Sequence, residues 1–298
     1  MAELSFCTAV IHHGDVGLTE RCLKSIVEWA GGAKENYLIW NDPRTSPEIL
    51  DPHWRSAFEV IETGSNLGFT GGANRAAECS TSDCMWLFNN DALATASAAE
   101  ELLAILEADE RVGIVGPRIL DAREGRIWSD GADIEWPLSR PVSRGYGQWP
   151  EAPGKAFDTG YVCCCAPMIR LASFRQVGGF DERFFIYFED ADLSWRLRAR
   201  GWRTMHVPAA RVIHEGSATI GTATPSSRYY PLRNRLLFST LHAPDGVSAE
   251  RERGRQQRAA RRRALRLRWS GRVQEAIALG DAIADHRRGE YGKWARTP

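Results

Sequence analysis

Residues 4–40 read LSFCTAVIHHGDVGLTERCLKSIVEWAGGAKENYLIW. Leu4–Ile11 is an apolar run of strand length, Leu18, Cys22, Ile26 and Trp29 recur at helical spacing, Gly31-Gly32 stops that helix, and Tyr37–Trp40 is a second β-rich run. Two such runs around a helix make a βαβ unit, whose strands are parallel and buried on both faces. Working outward, Phe58–Ile61 and Met85–Phe88 predict third and fourth strands, with a helix beginning near Ala73 between them. Leu102, Ile105 and Leu106 mark a further helix and Val112–Val115 a further strand. The expected fold is therefore α/β, a mostly parallel, Rossmann-like sheet with helices on both faces.

Beyond that core the pattern changes. From Asp121 to Asp158 Gly, Pro, Trp and Arg predominate, which predicts an irregular surface excursion of the functional kind. Order is expected again at Gly160–Ile169, in helices from about Leu171 and over Asp190–Arg200, and in a strand near Thr204–Val207. After Thr240 the chain reads as helical and arginine-rich, giving a body over 1–240 and an extension over 241–298.

Of the 298 residues 43% are hydrophobic, enough for a full-sized core, and 38 basic residues balance 38 acidic ones. A net charge of zero excludes a uniformly basic nucleic-acid binder. The zero is a cancellation, because ten arginines fall between Arg251 and Arg272 with only Glu252 against them. An exposed helix, a subunit contact in a homodimer, and a peripheral contact with anionic lipid are the three readings of that stretch. No apolar run reaches transmembrane length and the start lacks a signal-peptide pattern, so the expected location is the cytoplasm or the inner membrane face. The adjacent Cys163, Cys164 and Cys165 suit neither a disulfide framework nor a CxxC zinc site and read as small buried residues.

In a parallel sheet ligands bind beyond the carboxyl ends of the strands, and here those ends are polar. His12-His13-Gly14-Asp15 follows the first strand, Asn41-Asp42 the second, the glycine loop Asn66–Asn74 the third, and Asn89-Asn90-Asp91 the fourth. The glycines of the loop make neither GxGxxG nor GxxxxGK[ST]; a phosphate cradle at a helix start and a tight turn fit it equally. Asn89 and Asp91, one residue apart, project two oxygen-bearing side chains to the same side of an extended chain, as a Mg²⁺ or Mn²⁺ site would need, although a helix cap would also use them. Glu189, Asp190 and Asp192 follow the aromatic run 184–188. First-turn carboxylates favour a helix dipole, whereas carboxylates desolvated by aromatics suit general-base work. His214, after Val212-Ile213, fits a ligand or a structural residue.

Taken in order, these elements resemble glycosyltransferase family 2, in particular its rhamnosyltransferase-like branch with the GT-A fold. The resemblance runs through Thr8–His13, Cys22-Leu-Lys-Ser25, Ile39-Trp-Asn-Asp42, Asn66-x-Gly-Phe-x-Gly-Gly-x-Asn74 and Leu87-Phe-Asn-Asn-Asp91. It continues in Gly178-Gly-Phe-Asp-Glu-x-Phe-Phe-x-Tyr187, Glu189-Asp190-x-Asp192, His214, Tyr230-x-x-Arg233-Asn234 and the segment 278–292. The resemblance implies an inverting, metal-dependent transfer from a nucleoside diphosphate sugar (UDP- or dTDP-linked) to a glycan, a lipid-linked sugar or a small natural product. It implies Asp91 as ligand of Mn²⁺ or Mg²⁺ and diphosphate, Asn89 in the place of the first acid, His214 completing the metal site, and Asp190, beside Glu189, as catalytic base. It puts His12, Asn41, Asp42, Asn90 and the loop residues Asn66, Gly68, Gly72 and Asn74 at the nucleotide sugar. Two positions depart from the family pattern: Tyr-Asn after the first strand is His12-His13 here, and the base-contacting pair is Asn41-Asp42 with acid and amide exchanged. The alternative class is a catalytically silent nucleotide-sugar-binding protein on the same fold. Aromatic and basic residues between Ile127 and Phe157 (Trp128, Trp136, Arg140, Arg144, Tyr146, Trp149) are candidates for an acceptor surface.

Overall fold

The structure, a computed structural model, describes residues 3–216 and 224–296. Its first strand, β1 (Phe6–His12), is buried at every position. Phe6 and Val10 face α1 (Val16–Trp29), where Leu23 and Ile26 lie, while Cys7, Ala9 and Ile11 face Ala73 and Ala76 of α3 (Gly68–Cys79). Helices on both sides of a central strand account for a run with no polar face. Asp15 caps α1, its Oδ1 accepting from the N–H groups of Gly17 and Leu18.

The remaining body elements are β2 (Glu35–Trp40), α2 (Pro52–Ala57), β3 (Glu59–Glu62), β4 (Cys84–Asn89), β5 (Ala92–Ala94), α4 (Ala98–Ala108) and β6 (Val112–Asp121). The segment expected to be structureless contains short strands: β7 (Ile127–Ser129), a hairpin of β8 (Ala132–Glu135) with β9 (Arg140–Ser143), and β10 (Phe157–Asp158). Strands of two to four residues broken by Gly and Pro carry too few positions to register a period. Then come β11 (Met168–Arg170), α5 (Leu171–Gln176), α6 (Glu189–Ala199) and β12 (Arg203–His214). Cys163–Cys165 lies in the coil before β11 rather than in a strand.

The main sheet runs β10-β12-β6-β11-β4-β1-β2-β3, with β5 beside β12 and β7 beside β6. β1 pairs in parallel with β2 and β4, β2 with β3, and β6 with β12; β11 is antiparallel to both β4 and β6. The carboxyl ends of β1, β2 and β4 thus open on one edge of the sheet.

Three helices close the chain: α7 (Ser226–His242), α8 (Ala249–Trp269) and α9 (Val273–Arg288). α7 starts well before Thr240 and packs along α9, with α8 against both. Phe185, Tyr229, Tyr230, Ala278, Ala282 and Trp294 form one buried cluster there, so the extension is welded to the body through aromatic side chains. No helix among the described residues is long and apolar enough to cross a membrane.

Candidate active site

A cleft of about 840 Å³ opens beyond β1, β2 and β4. At the end of β4 the side chains alternate in role. Asn90 is held inward, its Nδ2 donating to Thr19 Oγ1 at 3.0 Å and to the carbonyls of His13 and Asp15, so it ties β4 to the start of α1. Asn89, Asn90 and Asp91 all line the cleft, and of the three Asn90 is the one bound to α1. Antiparallel pairing sets His214 of β12 opposite Ala92 of β5, and Glu215 N–H donates to the Asp91 carbonyl. The sheet register thereby brings His214 Nε2 to 3.3 Å from Asp91 Oδ1, both side chains buried. Among the described residues His214 Nδ1 has no hydrogen-bond partner, and the ring stands edge-on to Trp128 at 5.0 Å.

One carboxylate, one imidazole and a nearby amide form an oxygen and nitrogen donor set suited to Mg²⁺ or Mn²⁺. Among the described residues no group of three or more His, Cys, Asp or Glu converges on a metal position. A divalent ion here would need further oxygens from a bound diphosphate, the usual arrangement for Mg²⁺ at phosphates.

Across the cleft, α6 begins with Glu189 and Asp190. The approach to them is strained: Phe185, Tyr187 and Phe188 have φ of 65°, 69° and 69°, in the left-handed region that bulky residues avoid. Asn234 of α7 holds this turn, its Nδ2 within 2.7–2.8 Å of the carbonyls of Phe184, Ile186 and Tyr187. Arg233 donates to the carbonyls of Arg183, Phe184 and Gly292 and to Asn234 Oδ1. Asp190 Oδ1 accepts from Ala191 N–H at 2.8 Å. Burial pushes the Asp190 carboxyl up to about 6, against the backbone N–H groups that favour its charge, while the residue keeps an opening to the cleft. Burial, and then the neighbouring Asp190 charge, raise Glu189 well above the usual carboxyl range, and among the described residues its buried Oε2 has no partner. Asp192 is turned away, bound to Arg196 and His242.

The remaining sequence-derived positions divide. Asn66 and Gly68 line the cleft; Gly72 and Asn74 do not. The glycine segment is the first turn of α3, which starts at Gly68 rather than near Ala73. Gly68 has φ +73°, and a Cβ there would stand 2.5 Å from the Phe185 carbonyl oxygen. Gly72 lets α3 sit against Ile11, and Asn74 brackets Phe180, donating to its carbonyl and accepting from its N–H. Asn41 lines the cleft but its amide is engaged in the fold: Nδ2 donates to the Gly68 carbonyl and Oδ1 accepts from Leu67 N–H. Asp42 is buried, accepting from Gly14 N–H and from Arg44, whose guanidinium lowers its carboxyl pKa below the ordinary range. His12 does not face the cleft. It stacks on Trp40 at 3.8 Å, bonds Thr19 through Nδ1 at 2.7 Å, and is pushed down to about 4 by burial. A strand alternates its faces, so the next residue, His13, is the one at the cleft.

The amino-acid comparisons bear on this geometry. The family model for glycosyl transferase family 2 matches residues 10–177, more than half of the chain, from within β1 to the end of α5. The chain belongs to glycosyl transferase family 2. A family member from Mycobacterium tuberculosis, N-acetylglucosaminyl-diphospho-decaprenol L-rhamnosyltransferase, is 29% identical over 54% of this chain; the match spans 60% of that protein's length. Among solved structures, a mannosyltransferase from Pyrobaculum calidifontis in complex with GDP-Man and Mn²⁺ superposes with a TM-score of 0.60, covering 97% of this chain and 88% of that one at 14% identity. GalNAc-T7 with UDP, GalNAc and Mn²⁺ gives 0.61 over 97% of this chain and 58% of that one at 13% identity. These likenesses establish the fold, which is GT-A, as the resemblance implied.

Some cleft residues carry no sign of it in the sequence. Arg44 enters through Asp42, with Pro43 alone between them, a spacing that reads as a turn. Gln274, Trp294 and Arg296 reach the cleft from the extension. Of the aromatics between Ile127 and Phe157, Trp128 lines the cleft, whereas Trp136 packs on Trp195 and Phe238, and Trp149 lies under Arg126.

Proposed function

We propose that this protein transfers a sugar from a nucleoside diphosphate sugar to an acceptor hydroxyl with inversion at the anomeric carbon. The observation that carries the reading is one cleft holding the Asp91–His214 pair on one wall and a carboxylate with pKa about 6 on the other. Asp190 takes the proton of the acceptor hydroxyl as that oxygen attacks the anomeric carbon, while the bond to the diphosphate breaks on the opposite side. Glu189, which burial keeps protonated, leaves the negative charge to Asp190. Asp91 and His214, with Asn89 beside them, would hold a Mn²⁺ or Mg²⁺ ion, which supplies charge neutralisation of the departing diphosphate. His13, Asn41, Arg44 and Asn66 form the polar end for the nucleotide, with Arg44 held by Asp42. Residues 1–240 serve as the transferase body and 241–298 as an extension that completes its wall. The acceptor class we favour is a lipid-linked sugar, supported by the acceptor in the name of the mycobacterial relative.

The test is release of nucleoside diphosphate from a panel of UDP-, dTDP- and GDP-sugars with Mn²⁺ or Mg²⁺ and with chelator. Metal-dependent release, lost in chelator and in Asp91→Ala and His214→Ala, is expected. Thermal stabilisation by donors without any release marks a silent binding protein instead, and release unaffected by chelator removes the metal from the reading.

A further inference from the structure

Arginines without an ion pair are concentrated on α8. The helix carries nine, Arg251 to Arg268, and among the described residues none of them lies within 4 Å of a carboxylate, whereas arginines of the body such as Arg44, Arg118, Arg196 and Arg203 are ion-paired. The helix is well specified by Ser248, whose Oγ accepts from Arg251 N–H, and by Glu250 and Glu252 in the first turn. Its inner side is fixed by Glu252, Gln256, Ala260 and Leu267, all buried.

At 100° per residue, Arg251, Arg255, Arg258, Arg261, Arg262, Leu265 and Trp269 fall on the opposite side. That side is exposed along its whole length. Trp269 is 91% exposed and Leu265 58%, one turn apart, and Val273 in the next turn of chain is 46% exposed. A soluble surface gains nothing from a bare indole at the end of a basic stripe. Cationic side chains with an aromatic and an aliphatic side chain at one end are what an anionic lipid surface recognises: phosphates pair with guanidinium groups, and Trp settles at the headgroup boundary. A second copy of the same face is disfavoured, because it would set five arginines against five.

The position of this face matters as well. Gln274, five residues beyond Trp269, lines the cleft, and five residues span at most about 18 Å. We propose that the outer face of α8 docks on an anionic lipid bilayer, with Leu265 and Trp269 at the headgroup boundary, and so presents the mouth of the cleft to an acceptor carried in that membrane. The docking surface stands on α8 itself; the link to the acceptor rests on the function proposed above.

Co-sedimentation with phosphatidylglycerol/phosphatidylcholine vesicles and with phosphatidylcholine alone, at low and high salt, is the test. The whole chain is expected to bind only the anionic vesicles and to be released by salt. Each arginine near a charged surface changes partitioning by roughly fivefold, so R255Q/R258Q/R262Q is expected to bind ~100-fold more weakly. Trp269→Ser is expected to weaken vesicle binding while leaving retention on heparin unchanged. No binding of the wild-type chain to anionic vesicles overturns the proposal. So does vesicle binding indifferent to Trp269→Ser, which marks a general polyanion site, or a change of oligomeric state in the variants, which marks a subunit contact. Nucleoside diphosphate release without vesicles is expected to be unchanged in these variants. Its absence in the wild-type chain, with vesicle binding intact, would count against the proposed function and not against the docking surface.

Discussion

Glu189 and Asp190 are neighbours with different fates, and burial is the cause of both. Asp190 ionises first, and its charge then keeps the proton on Glu189. In its proposed role as base Asp190 works only when ionised, so turnover is expected to fall as pH drops through about 6 and to level off above it. Asp190→Asn is expected to lower kcat by roughly 10²- to 10⁴-fold with donor affinity retained, measured by steady-state kinetics and donor titration. Full activity in that variant would remove the assignment. Glu189 has the opposite use for its proton. Its folded pKa lies above its unfolded value, so the folded state loses stability as pH rises past the ordinary carboxyl range. Glu189→Gln imitates the protonated side chain, and its gain in Tm over wild type is expected to widen between about pH 5 and about pH 8. A gain that shrinks with pH would mean that Glu189 is ionised in the fold. The carboxylates themselves were legible in the sequence, as acids after an aromatic run. Which one keeps its proton was not, because desolvation depends on side chains remote in the chain.

Among the elements, the turn 184–188 depends most on another part of the structure. Three aromatic residues there hold positive φ, at a cost of order 1–3 kcal/mol each, and one amide on α7 satisfies three of the carbonyls exposed by that geometry. Asn234→Ala removes the side-chain donor to the Ile186 and Tyr187 carbonyls, while the Phe184 carbonyl keeps Arg233. It is expected to lower stability by about 2–4 kcal/mol in urea denaturation and to reduce kcat by displacing Asp190. Unchanged stability with normal kcat would show that aromatic packing alone holds the turn. The glycine segment shows the same dependence in reverse. Gly68, Gly71 and Gly72 read as a loop for phosphate or as a tight turn; they form a helix start that must approach Phe185 and Ile11 closely. Sequence spacing marks the glycines but cannot say what comes close to them.

At the scale of the whole molecule, the C-terminal helices are part of the cleft and not an appendage. Trp294 stacks on Tyr229 at 4.5 Å, and its N–H is bound by the Tyr230 hydroxyl. A chain ending at His242 would expose Tyr229, Tyr230 and Phe185 together. Such a truncation is expected to lose cooperative thermal unfolding and any donor-induced stabilisation; normal behaviour in both would show that the body folds without its extension. The parallel centre of the sheet and the polar residues at its open edge are legible in the amino-acid order alone, because apolar runs of strand length and helix-period repeats are local signals. It takes the folded chain to show that His13 rather than His12 meets the cleft, that Asp42 holds Arg44 there, that His214 reaches Asp91, and that Gln274 and Trp294 close the wall. Strand register and helix packing, which no short stretch of sequence encodes, bring His214 to Asp91 and the extension to the cleft.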